Sequence, residues 1–148
     1  MPEPDFIEEF NREFRQLYLD YNKAVSENDF DRAITTGKKI LGGLVKISKE
    51  YILPALRSRE VRELFEDILS FHEKNLAFVE GTQEAVRDMP VLFTFEAKER
   101  AVEILSSSIV EFFSFVLGAL IILADIEACG RSAKKEESEE KDVVPRVL

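Results

Sequence analysis

Residues Ala101–Ala128 read AVEILSSSIVEFFSFVLGALIILADIEA, the most apolar part of the chain, and their periodicity decides the fold. At helical spacing one stripe is Leu105, Ile109, Phe112, Val116, Leu120 and Leu123. A second is Val102, Val110, Phe113, Leu117, Ile121 and Ala124. Both keep the register in which residues three, four or seven apart share a face. A surface helix carries one such stripe, whereas a helix apolar around most of its circumference is buried or lies in a membrane. What remains is a narrow line of Ser107, Glu111, Ser114, Gly118 and Asp125, all small or acidic. Two acids on so apolar a helix need water or a charged partner.

Length separates the two environments. A spanning helix takes about 20 consecutive apolar residues to cross about 30 Å of hydrocarbon. The uncharged run between Glu111 and Asp125 covers only about 20 Å at ~1.5 Å per residue, and lengthening it draws Glu111 into lipid at high cost. The stretch therefore reads as the buried central helix of a soluble bundle. A membrane anchor is the alternative, and Arg131, Lys134 and Lys135 would be its basic flank.

Outward from this helix, the composition describes one ordinary domain. The chain has 148 residues, 45% hydrophobic and 33% charged, enough for a single substantial core. Its formal net charge of −9 makes nucleic acid and anionic lipid poor partners. A single cysteine, Cys129, excludes an internal disulfide framework and fits a cytoplasmic protein. The opening MPEPDFIEEF has no apolar signal core.

Three amphipathic helices precede the central one. Pro4 and Asp5 open the first, with Asp5 and Glu8 in capping-box spacing, and Phe6, Phe10, Phe14, Leu17, Tyr21 and Val25 mark its apolar face as far as Ser26. Glu27-Asn28-Asp29 is a turn, and Asp29 caps a second helix. That helix carries Phe30, Ala33, Ile34, Gly37, Ile40, Leu41, Leu44, Ile47 and Tyr51 on one face. Gly37 on the apolar stripe costs about 1 kcal/mol relative to alanine, so a close helix contact is expected there. Gly42-Gly43 is a possible break. Pro54 biases Leu53 away from α geometry, which ends the helix near Ile52. Ser58 caps a third helix, whose apolar face is Val61, Leu64, Phe65, Ile68, His72, Leu76 and Val79. Its end lies at Gly81 or between Val86 and Asp88. Met89-Pro90 breaks the chain, and Val91, Leu92 and Phe93 form a short apolar loop plugging one end of the core. Thr94 caps the last helix, Gly130 stops it, and residues 131–148 form a charged tail or a solvated helical extension.

The segment Ala24–Leu41, AVSENDFDRAITTGKKIL, resembles one tetratricopeptide-type helical hairpin, with Tyr21, Phe30 and Ala33 at its aromatic, aromatic and small positions. A register of about 34 residues puts Asp67 where Ala33 should recur, so no array follows and no function is implied.

The expected fold is all-α: a four-long-helix antiparallel bundle over residues 1–130, with a highly apolar C-terminal helix at its centre. Three amphipathic neighbours bury one apolar stripe of that helix more readily than two. The expected partner is therefore a second copy of the chain, in a dimer or higher oligomer joined through the last helix.

No catalytic, metal or cofactor signature assembles. His72, the only histidine, lies on an apolar face beside Asn75 and reads as a hydrogen-bonded core residue. Its HExxH fails at Leu76 and its Glu-x-x-His fails at Leu69. Cys129 sits at a helix C-terminus, where the dipole disfavours a thiolate. Thr36-Gly37-Lys38-Lys39 lacks the first glycine and the Ser/Thr of a phosphate loop. Glu8-Glu9 has Arg12 where a third acid would stand. Glu111, Asp125 and His72 are the candidates for any hidden site, and they define the alternative function, a metal-dependent hydrolase with a carboxylate site in the bundle core. The primary reading is a soluble protein that works by self-association and contact with other proteins.

Overall fold

The computed structural model describes the backbone of residues 4–139 and the side chains of residues 7–126 and of Cys129. The elements are α1 (Pro4–Ser26), α2 (Phe30–Ile47), one wide π-turn (Ser48–Ile52), the single-turn α3 (Leu53–Ala55), α4 (Arg59–Ala85) and α5 (Val91–Glu139). The four long helices run up, down, up, down. Phe14 and Tyr21 of α1 meet Phe113 and Val102 of α5, so those two are antiparallel. Phe65 and His72 of α4 meet Phe115 and Ser108 in the same sense. The all-α bundle with a long apolar last helix, read from periodicity, is what is observed.

Caps set the ends of the middle helices. The Asp29 carboxylate accepts from the Arg32 backbone N–H, and the Ser58 hydroxyl accepts from that of Val61. Asn28 reverses the chain between α1 and α2 at φ 57°, a left-handed conformation that asparagine tolerates better than most residues. Side chains 4–6, including the Asp5 half of the expected capping box, lie outside the described ones.

The first apolar stripe of α5 is the axis of the core. Leu105, Ile109, Phe112, Val116, Leu120 and Leu123 are all buried. Ala33, Ile34, Ile40, Leu41 and Leu44 of α2, Phe14, Tyr21 and Ala24 of α1, and Phe65, Leu69 and Val79 of α4 close around them. The seam between α1 and α5 is aromatic: Phe14 and Phe113 stack with ring centroids 3.4 Å apart. At Gly37 side chains of α1 and α5 press against α2. A Cβ there would lie 3.0 Å from Leu105 Cδ1 and 3.0 Å from Tyr21 Cε2, the close contact that its place on the apolar stripe implied.

Several expectations are corrected. Gly42-Gly43 neither breaks α2 nor meets a neighbour within 4 Å. Leu53 keeps helical φ and ψ of −55° and −46° despite Pro54. Pro54 stands in the first turn of α3, directly after the π-turn, where a proline's missing N–H is tolerated. Leu56, at ψ 121°, is where the chain leaves the helix. Gly81 does not end α4, which runs to Ala85. Val61 and Leu64 are exposed, and Leu69 is buried in their stead. Val91–Phe93 are the first turn of α5 instead of a plug, with Val91 89% and Leu92 79% exposed. Gly130 does not stop α5, which continues to Glu139; residues 140–148 of the expected tail lie outside the described residues.

The glycines give a direct check. Gly43→Ala, in an open and exposed position, raises stability by about 0.5–1 kcal/mol in urea unfolding. Gly37→Ala lowers it by about 1 kcal/mol, because the Tyr21 ring is anchored by hydrogen bonds and cannot yield. Equal stabilisation by both would contradict the close approach at Gly37.

Candidate interaction surface

The polar groups inside the bundle are few and matched. Tyr21 Oη donates to the Val102 carbonyl at 3.1 Å and lies 2.6 Å from Ser106 Oγ. Burial raises the Tyr21 pKa, the Ser106 hydrogen bond lowers it and Tyr18 raises it slightly. The Ser48 hydroxyl donates back to the Leu44 carbonyl at 2.8 Å. No described buried side-chain nitrogen or oxygen lacks a partner.

His72 belongs to this class. Its Nδ1 lies 2.5 Å from Ser108 Oγ of α5, and Asn75 Nδ2 donates to the same oxygen at 3.3 Å. Which of His72 Nδ1 and Ser108 Oγ donates depends on the imidazole tautomer. The ring stacks on Phe112 at 4.4 Å and meets the edge of Phe71 at 5.2 Å. Burial pushes the His72 pKa below its ordinary value, and the Glu111 carboxylate opposes that shift.

A serine hydroxyl on an imidazole is also the start of a nucleophile–base pair. Access argues against that role here. Ser108 and His72 are 1% and 3% exposed, and neither lines any of the three clefts described next. The sequence pointed to Asn75 beside His72 but not to Ser108, because that contact depends on the register between two helices 36 residues apart in the chain.

The three acid–base candidates do not converge. Glu111 acts on His72 from an exposed position, and Asp125, also exposed, lies fourteen residues further along α5, about 21 Å at 1.5 Å per residue. Among the described residues no group of three His, Cys, Asp or Glu side chains is placed to hold a metal ion. Cys129 is exposed.

The clefts are shallow. One of about 400 Å³ is lined by Asp31, Lys38, Glu80, Gln83, Arg87 and Lys98. Its lysines are already engaged, Lys98 with Asp31 at 2.8 Å and Lys38 with Gln83 at 2.8 Å. A second, of about 620 Å³, is apolar and bordered by Val25, Phe30, Phe95 and Val102. A third, of about 340 Å³, lies between Phe10, Glu13, Lys46 and Tyr51. None holds a convergent set of reactive groups.

The outward side of α5 is the unusual surface. Its second apolar stripe is only partly covered: Val102 is buried, while Val110 and Ile121 are exposed. Phe115, Ile122 and Ile126 are exposed as well, beside the small and acidic line of Ser107, Glu111, Ser114 and Gly118. Along α4, Leu64, Phe71 and Phe78 are half-exposed on the adjoining flank. An apolar surface of this extent marks a contact site more often than a solvated face.

The pH response of the buried histidine follows from its surroundings. In the unfolded chain an imidazole titrates near 6.5; in the fold it titrates lower. The unfolded state therefore takes the proton first as pH falls, and the stability contributed by neutral His72 is full above about 6.5 and is lost as pH drops through the folded value. His72→Gln lacks this component. The stability gap between wild type and His72→Gln in urea unfolding narrows from pH 7.5 to pH 5, and a gap independent of pH would contradict the assignment.

Comparison with known protein families, curated proteins and solved structures finds no match for this chain, so the functional reading rests on the surface itself.

Proposed function

We propose that the protein is a non-catalytic interaction module of the cytoplasm that associates with itself through α5, forming a dimer. The observation that supports this is the incomplete cover of that helix: of its most apolar 18-residue window, only 28% is buried within one chain. A bundle of four helices has enough amphipathic surface to bury the Leu105–Leu123 stripe, and it leaves Val110, Phe115, Ile121, Ile122 and Ile126 facing out. Each Å² of apolar area that a second copy covers contributes ~25 cal/mol against the cost of association. The charge of −9 keeps such a protein soluble while disfavouring open-ended aggregation.

A second reading draws on the same window. With Glu111 counted inside the run, Val91–Ile126 is by length and composition long and apolar enough to cross a membrane, so length alone does not separate the two environments as expected from the uncharged run. Insertion would strip α1, α2 and α4 from the fully buried stripe of α5 and leave their apolar faces in water, which favours the soluble dimer.

Light scattering across a size-exclusion peak, without detergent, tests the proposal. Wild type elutes as a dimer at micromolar concentration, and Ile122→Glu, a change at a 60% exposed side chain, shifts it to monomer with its helical circular dichroism intact. A wild type that is monomeric, or recovered only from the membrane fraction, would contradict the proposal.

A further inference from the structure

Deepening the dimer reading, on which it rests, we infer that α4 supplies the centre of the interface, packing antiparallel against α4 of a second copy about a two-fold axis near Phe71. Leu64, Phe71 and Phe78 are seven residues apart and 60%, 55% and 50% exposed. Val61, three residues before Leu64, is 49% exposed and borders the same line. A line repeating every seven residues is one ridge of a helix–helix seam, and it lies outside Ile68 and Asn75, which pack into the chain's own bundle. The seam is an extra one. The helix meets its own bundle through Phe65, Leu69, His72 and Val79, all buried, and its Glu73 edge is tied to Lys49 at 3.0 Å.

The occupant follows from self-complementarity. A two-fold contact pairs each residue with its mirror position, so the same patch must match itself reversed. Turned about Phe71, Leu64 meets Phe78 of the other copy and Phe71 meets its own equivalent. On the rim, Asp67 falls beside Lys74 of the other copy, and Lys74 beside its Asp67. Both are exposed, and among the described residues neither forms an ion pair within the chain. In an antiparallel pair these opposite charges attract twice; in a parallel pair each faces the opposite flank of the other copy, and the two do not meet.

The area is sufficient. Phe115 touches Phe65 at 5.2 Å between ring centroids, which brings the exposed flank of α5 alongside. With Phe115 and Ile122 added, the half-exposed side chains offer about 500 Å² of apolar surface per copy, at roughly 200 Å² for a large side chain. A standard interface covers about 800 Å² per partner, a little over half of it apolar.

Charge reversal tests the geometry. Wild type is a dimer by sedimentation equilibrium. Lys74→Asp weakens it at least tenfold, and the double change Asp67→Lys with Lys74→Asp restores the affinity to within a few-fold. Circular dichroism verifies that each variant is folded. In a Cys129→Ser background, Phe71→Cys is joined to a covalent dimer by a short bifunctional maleimide. A wild-type dimer that Lys74→Asp and Phe71→Glu leave intact, while Ile121→Glu dissolves it, would overturn the α4 seam and preserve self-association through α5. A wild-type monomer, including one that sediments with phosphatidylcholine vesicles, would overturn both.

Discussion

One helix with more apolar surface than its neighbours cover is the constraint on which this structure depends. The stripe from Leu105 to Leu123 is buried by α1, α2 and α4 together, and that burial accounts for the arrangement of the other three. Each turns its main apolar face inward, and α4 keeps a second apolar line, Leu64, Phe71 and Phe78, exposed. The remaining circumference of α5 falls to solvent or to another molecule. Its outward positions mix isoleucine and phenylalanine with serine, glycine and glutamate, so it is neither a conventional charged surface nor a uniformly apolar one.

The polar residues inside the bundle fit a structural role. Tyr21 with Ser106, and His72 with Ser108 and Asn75, each tie one outer helix to α5 at a defined register. A buried hydroxyl or imidazole without its partner costs about 1–3 kcal/mol, so a slip of either helix by one turn is penalised. The wholly apolar contacts around them would tolerate such a slip more easily. These pairs therefore specify how the helices meet, while the phenylalanines and leucines supply most of the cohesion.

Much of the fold was legible in the sequence because its signals are local. The α5 stripe, the caps at Asp29 and Ser58 and the close contact at Gly37 follow from spacing and side-chain type. What was not legible depended on competition between comparable effects. On α4, two adjoining stripes are both apolar, and periodicity alone could not say that Leu69 turns inward and Leu64 outward. Gly130 is a stop signal worth about 1 kcal/mol, and the helix-favouring residues of the segment SAKKEESE after it outweigh that preference. Pro54 is a helix-ending signal, yet the chain stays helical around it through the π-turn and α3. Val91–Phe93 have the composition of a plug but follow Pro90 directly into a helix. Of the candidate site, the core position of His72 follows from its apolar neighbours at helical spacing, while its contact with Ser108 depends on the register between α4 and α5. Glu111 and Asp125 stood out as acids on an apolar helix, and exposure accounts for both.

The central claim is that the outward side of α5 and the adjoining flank of α4 are covered by a second copy of the chain. Sedimentation equilibrium of the wild-type protein in detergent-free buffer, from low to high micromolar concentration, measures this most directly. The account predicts a species of twice the 17.0 kDa chain mass, dissociating only at the lowest concentrations. A single species of 17.0 kDa across the whole range would contradict it.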